Sequence, residues 1–106
     1  MSALHEQFAL LSEHVNRMIG LLEEADERFW IPYFKRGLKQ IDEHKLGGVT
    51  FVLGCYGGED TFSDLVIGEC WRTSDPLKYR NLNARLAQLR TAVFESANAI
   101  TSRRAW

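Results

Sequence analysis

Residues 76–103 carry an apolar side chain at every third or fourth position, which places these side chains along one side of a long α-helix. The helix has a clear start, because Asp75 can act as an N-cap and Pro76 is tolerated in a first helical turn. At 1.5 Å per residue it would be roughly 40 Å long. The apolar positions are Tyr79, Leu82, Leu86, Leu89, Val93, Ala97 and Ile100. Other helices must pack along this stripe to shield it from water.

Two earlier segments show the same helical spacing. Residues 4–25 predict a first helix, whose apolar positions are Leu4, Phe8, Leu11, Val15, Met18, Ile19 and Leu22. A second helix should follow a break between about residues 25 and 31, because Pro32 belongs in a first turn. Asp26 is a candidate cap for it. We expect Gly47-Gly48 to end this second helix.

The segment at residues 49–71 is compatible with two structures. Residues 49–56 fit a helix, but they also suit a strand that pairs with residues 64–71 across the double glycine. We favour the helix, because the flanking segments are helical and an isolated hairpin is marginally stable. The prediction is therefore an all-α single domain, 1–106, with four main helices and a short helical turn near 62–67. The alternative is an α+β fold with a hairpin at 49–71.

Composition indicates a globular protein of the cytoplasm. The chain of 106 residues is 45% hydrophobic and 25% charged, which is typical of one soluble domain. No apolar run approaches the roughly 18 residues of a membrane span, and the N-terminal residues lack the basic region of a signal peptide. We therefore expect no membrane partner. Two cysteines, Cys55 and Cys70, are too few for a disulfide scaffold, and we favour free thiols in a reducing cytoplasm over the alternative of a single bridge.

Charge is distributed unevenly along the chain. Residues 1–70 hold 6 basic and 12 acidic side chains, whereas residues 71–106 hold 7 basic and 2 acidic ones. The simplest interpretation is that the two parts pack together and neutralise each other. The basic side chains of the last helix are spread along it, which favours ion pairs over a nucleic-acid interface.

The double glycine at 57–58 does not predict a catalytic or cofactor-binding loop. The two acids that follow, Glu59 and Asp60, would repel a phosphate group. Local structure explains the sequence better: Gly57 can adopt the left-handed conformation that ends a helix, and Thr61 with Asp64 resembles a capping box. Such acids could bind a metal ion, but solvated carboxylates are more common, and the histidines and cysteines lack ligand spacing. We predict no catalytic residues, no metal and no cofactor.

The centre of the chain resembles a small family of uncharacterised bacterial helical proteins. The motif is an aromatic near the second helix, a leucine-rich segment, Gly-Gly, and the sequence Thr-Phe-Ser-Asp-Leu at 61–65. The matching positions outside that sequence are Trp30, Leu38, Leu53, Gly57 and Gly58. Ser63 departs from the asparagine common in such proteins. The resemblance covers roughly residues 28–68, implies no catalytic residues, and is loosely associated with immunity to secreted toxins.

These observations lead to two hypotheses about function. The first is a cytoplasmic immunity-type protein, not an enzyme, that neutralises a toxin domain with a basic surface through direct protein contact. Its predicted partner-binding residues are Tyr56, Glu59, Asp60, Asp64, Glu69 and Trp71. The second is a self-assembling adaptor or regulatory protein that forms a homodimer through residues 76–103.

Overall fold

The computed structural model describes residues 3–57 and 62–104, and within these ranges the protein is helical without strands. The helices are α1 (Ala3–Glu24), α2 (Ile31–Asp42), α3 (Leu46–Gly54) and α4 (Pro76–Arg104). Two 3₁₀ turns, Phe62–Asp64 and Glu69–Trp71, lie between α3 and α4. This confirms the all-α prediction of four main helices with a short turn near 62–67. The hairpin alternative at 49–71 is wrong.

The long last helix begins and packs as its sequence predicts. The backbone N–H of Lys78 donates to the Asp75 carboxylate at 3.2 Å, which is an N-cap one residue before Pro76. The apolar stripe of α4 faces the rest of the protein, and α1 packs along it. Its buried members are Leu82, Leu86, Val93, Ala97 and Ile100. From α1, the fully buried partners in this core include Leu11, Val15, Met18 and Leu22.

The first two helices both end at a non-glycine residue in the left-handed conformation. At the end of α1, Asp26 has φ 56°, its N–H donates to the Glu23 carbonyl, and the N–H of Glu27 donates to the Leu22 carbonyl. This bonding pattern is a Schellman motif. Asp26 therefore ends α1, and the prediction that it caps α2 is wrong. The N-cap of α2 is Trp30, which makes no side-chain capping bond.

The second Schellman motif ends α2 at Asp42, several residues before the predicted glycine stop. His44 has φ 57°, its N–H donates to the Ile41 carbonyl, and the Lys45 N–H donates to the Gln40 carbonyl. The predicted stop at Gly47-Gly48 is wrong, because both glycines lie in the first turn of α3.

Gly48 lets α3 approach α2 closely. A Cβ atom built on Gly48 would lie 2.7 Å from the carbonyl oxygen of Gly37 and 2.9 Å from the backbone nitrogen of Ile41. On the facing helix, a Cβ atom on Gly37 would lie 2.6 Å from the Val52 side chain. The two glycines thus serve close helix packing rather than helix termination.

Among the glycines that the structure describes, Gly68 is the one with a left-handed backbone, and it lies further along the connection to α4. Gly68 has φ 71°, whereas Gly57 is outside the left-handed region, so the predicted role of Gly57 is wrong. The predicted capping box includes Thr61, which lies outside the described residues. The expected return of the chain to the core does occur: Phe62 and Ile67 are fully buried.

None of the described helices combines the length and the apolar character needed to cross a membrane.

Candidate functional site

The connection between α3 and α4 is anchored in the core by Phe62. Its ring is fully buried and lies 4.6 Å from the Phe34 ring, 5.5 Å from the Tyr56 ring and 5.7 Å from the Trp30 ring, measured between centroids. All three contacts are edge-on, the arrangement that aromatic pairs favour. We call residues 62–71 the connecting loop. Phe62, the first residue of this loop, is fully buried.

Asn83 of α4 holds the middle of the connecting loop through hydrogen bonds to both the backbone N–H and the backbone carbonyl of Ile67. The N–H of Ile67 donates to Asn83 Oδ1 at 2.9 Å, and Asn83 Nδ2 donates back to the Ile67 carbonyl at 2.8 Å. Asn83 Nδ2 also donates to the Tyr79 carbonyl within α4 at 2.9 Å. The backbone N–H and carbonyl groups of an irregular segment have no partners from a helix or sheet. The Asn83 side chain supplies such partners for Ile67.

Arg90 holds the start of the connecting loop in the same way. Its Nη1 donates to the carbonyls of Phe62 at 3.2 Å and Leu65 at 3.1 Å, and the arginine side chain is half-buried. The Tyr56 hydroxyl donates to the carbonyl of Arg90 itself at 2.7 Å. Arg90 therefore binds loop backbone and forms no ion pair among the described residues, contrary to the ion-pair role expected for it.

Tyr56, a predicted partner-binding residue, is half-buried and already has an internal role. Burial raises the pKa of its phenol, and its ring packs against Phe94 at a centroid distance of 5.3 Å. Its outer side lines an open groove of about 650 Å³ along α4, together with Arg90, Phe94 and Asn98. A partner could contact the ring edge of Tyr56 in this groove, but the Tyr56 hydroxyl already donates its hydrogen bond to the Arg90 carbonyl.

Two of the four predicted acidic residues can be placed, and both are exposed. Asp64 ends the first 3₁₀ turn, and Glu69 begins the second. Glu69 lies 3.9 Å from Arg72, a solvent-exposed contact that stabilises little. Glu59 and Asp60 lie outside the described residues. The connecting loop thus presents acidic side chains to solvent on a backbone fastened to α4.

Trp71, the last predicted binding residue, ends the second 3₁₀ turn and lies half-buried against the first turn of α4. The ammonium of Lys78 lies 3.7 Å from the centre of its ring, close enough for a cation–π contact. Tyr56 instead contacts α4 at Arg90. Lys78 and Arg90 are twelve residues apart, which corresponds to roughly 18 Å along the helix axis. The predicted residues within the described ranges therefore extend along α4 and do not converge on a single pocket.

The cysteines and other potential metal ligands do not form a reactive centre among the described residues. Cys55 is buried and Cys70 is exposed, and both are free thiols. Burial raises the pKa of the Cys55 thiol, which opposes formation of the reactive thiolate. No group of three or more His, Cys, Asp or Glu side chains in the described ranges is arranged to hold a metal ion.

A second surface was missed by the sequence analysis. Around the start of α2, the rings of Phe29, Trp30 and Tyr33 lie within 5.2 to 5.5 Å of one another, and Tyr33 stacks on Phe51 at 6.4 Å. Phe29 is 62% exposed and Tyr33 is 40% exposed. The signal was present as two aromatic pairs four residues apart: Trp30 and Phe34 face inward, while Phe29 and Tyr33 face outward.

Comparison with family models, with curated proteins and with solved structures finds no match for this chain. The resemblance carried by the Gly-Gly and Thr-Phe-Ser-Asp-Leu motifs therefore stays a prediction.

Proposed function

We propose that this protein acts by binding another protein, and that the connecting loop on α4 is the surface it presents. The observation that supports this most is the fastening of the loop backbone by Asn83 and Arg90 while the Asp64 and Glu69 side chains face solvent. A loop already fixed in place loses little conformational freedom on binding, so more of the contact energy appears as affinity.

Within this class, we propose an immunity-type inhibitor that neutralises a toxin domain with a basic surface. Exposed carboxylates accelerate the encounter with a basic partner through long-range attraction. Tyr56 and Trp71 flank those acids in the sequence, and their exposed edges would supply apolar contact area once the partner has docked. Inhibition by contact needs no chemistry from this chain.

The alternative is a self-assembling adaptor that dimerises through residues 76–103. The apolar stripe that suggested it is used inside the protein, because Leu82, Leu86 and Val93 are buried against the other helices. A dimer would have to use the outer side of α4, where Leu77 and Phe94 are exposed. This makes inhibition by contact the better supported of the two.

Protection of growing cells provides the test. A toxin domain encoded beside this chain would be expressed in a sensitive host, with this protein supplied as the unaltered chain or as the double variant Asp64→Lys, Glu69→Lys. We expect the unaltered chain to restore growth and the double variant to protect less. Both changed residues are exposed, so the variant should fold; circular dichroism and a thermal melt would confirm that.

The matched control reverses the charge of two acids remote from the connecting loop in sequence, Glu6→Lys and Glu13→Lys on the exposed side of α1. This control should protect as well as the unaltered chain. Equal protection by the double variant would contradict the proposed binding surface, and absence of protection by the unaltered chain would contradict the immunity function for that toxin.

A further inference from the structure

We propose that the exposed aromatic residues at the start of α2 form a second protein-binding site, which takes a short acidic segment of a partner protein with an apolar anchor. The site is the groove lined by Arg28, Phe29, Pro32, Tyr33 and Arg36, with a volume of about 510 Å³. We call it the arginine–aromatic groove. It lies outside the connecting loop and goes beyond the function proposed for that loop.

The floor of the groove is apolar and exposed to water. Phe29 leaves 62% of its surface in contact with water, although the neighbouring Trp30 and Phe34 are turned inward. Phe29 and Tyr33 contact each other at 5.5 Å between ring centroids, one helical turn apart. Exposed aromatic rings in a contiguous group are typical of binding surfaces, where they provide large contact areas at little entropic cost.

The charges that line the groove are both positive, which identifies the chemistry of the occupant. The Arg36 guanidinium lies 5.6 Å from the Phe51 ring centre and forms no ion pair among the described residues. Arg28 contacts Asp26 at 2.7 Å, but both side chains are largely exposed, so a competing carboxylate can replace this pair at small cost. A guanidinium binds a carboxylate through two parallel hydrogen bonds.

An acidic side chain on the partner would therefore meet Arg36, while a neighbouring apolar side chain would lie on Phe29 and Tyr33. A basic segment would be repelled by the same two arginines. A purely acidic segment would leave the aromatic floor exposed to water and would gain little from it. The groove thus favours a segment with both properties.

Fluorescence anisotropy with defined peptides tests this assignment. The probe is a short labelled peptide that alternates leucine with aspartate; one comparison peptide has lysine for aspartate, and the other has serine for leucine. We expect the leucine–aspartate peptide to bind more tightly than either. Its affinity should fall about tenfold or more with Phe29→Ala and with Arg36→Gln, as expected when a central aromatic or arginine contact is removed.

Matched controls exist elsewhere on the protein. Leu77→Ala removes another highly exposed apolar side chain, and Arg80→Gln removes an exposed arginine outside the groove. Neither should change the affinity, nor should Asp64→Lys, which belongs to the connecting loop. Failure of the loop proposal would thus leave this result intact.

Three results would overturn the proposal. One is no binding of the leucine–aspartate peptide, and another is equal binding of the lysine or serine peptide. The third is a concentration-dependent dimer in sedimentation that Phe29→Ala abolishes, which would make a second copy of this chain the occupant.

Discussion

Asn83 and Arg90 of α4 shape the candidate site by bonding loop backbone, not loop side chains. Asn83 bonds the N–H and carbonyl of Ile67, and Arg90 bonds the carbonyls of Phe62 and Leu65. From their spread along the helix, the arginines of α4 were expected to form ion pairs. That assignment holds for Arg85, which binds both carboxylate oxygens of Glu24 at 2.8 and 3.2 Å. Every residue has a backbone carbonyl, so the sequence does not indicate which carbonyls an arginine will bind. This explains why an ion pair was wrongly expected for Arg90.

Removal of the Arg90 guanidinium should loosen the connecting loop. Arg90→Met keeps much of the apolar stem but leaves the two loop carbonyls without this donor, so we expect a loss of about 1–3 kcal/mol in the free energy of unfolding. Urea denaturation followed by circular dichroism measures it. The control, Arg80→Met, changes an exposed arginine of the same helix and should stay within about 0.5 kcal/mol of the unaltered protein. Equal effects of the two substitutions would contradict the fastening role.

The Glu24–Arg85 pair should make stability depend on pH in a defined direction. The hydrogen bond from Arg85 lowers the pKa of Glu24 from its ordinary value of 4.5, so the pair stabilises the folded state above about that pH. The stabilisation is lost as the pH falls through the lowered folded-state pKa. We expect the difference in unfolding free energy between the unaltered protein and Glu24→Gln to shrink over that acidic range.

The control for this pH dependence is the same substitution in a chain that lacks the arginine. In an Arg85→Met background, Glu24→Gln should produce a much smaller acid-range change, because only the weaker charge attraction of Lys78 still lowers the Glu24 pKa. An undiminished change without Arg85 would contradict the assignment of this pH dependence to the Glu24–Arg85 pair.

At the scale of elements, the sequence predicted which segments are helical better than where they end. The apolar spacing of 4–25 and 76–103 placed α1 and α4 almost to the residue. The end of α2 was missed and Asp26 was assigned to the wrong helix, because His44 and Asp26 take the left-handed position that glycine usually holds. Gly48, which was assigned to a helix end, is needed instead for the close packing of α3 on α2, a requirement that depends on which helices become neighbours.

Close packing of α2 against α3 makes Gly48 sensitive to replacement by alanine, whereas Gly20 in α1 has room for the added methyl group. Gly48→Ala brings a methyl group to within 2.7–2.9 Å of α2 backbone atoms, which cannot move aside as a flexible side chain could. We expect it to destabilise the protein by about 2 kcal/mol or more. Gly20→Ala, inside α1 with no atom within 4 Å of the added methyl group, should stabilise it by about 0.5–1 kcal/mol.

Thermal and urea unfolding of both alanine variants gives the comparison. Similar unfolding free energies for Gly48→Ala and Gly20→Ala would contradict the close approach of the two helices.

The candidate site was less predictable than the fold. Of the residues assigned to partner binding, Asp64 and Glu69 are exposed as expected, while Tyr56 is engaged with α4 and Trp71 lies beside Lys78. Charged side chains can be placed on the surface from sequence, because burial of an unpaired charge is costly. Aromatic side chains suit core and interface alike, so only the packing separates Phe29 from Phe34.

At the scale of the whole molecule, the uneven charge of the chain is partly neutralised by folding. Glu24 of the acidic part pairs with Arg85 of the basic part, as the sequence analysis expected. Folding leaves an acidic connecting loop and a groove lined by Arg28 and Arg36, two surfaces of opposite charge. We propose that the acidic loop docks a basic partner and that the groove docks an acidic one.

The central claim is that the acidic connecting loop guides a basic partner onto the protein, and association kinetics test it most directly. With a toxin domain that the protein protects against, stopped-flow mixing would give association rate constants for the unaltered chain and for Asp64→Lys, Glu69→Lys. We expect the variant to associate about tenfold more slowly at low ionic strength, with the gap closing as salt is added. Equal association rates at low salt would contradict the claim.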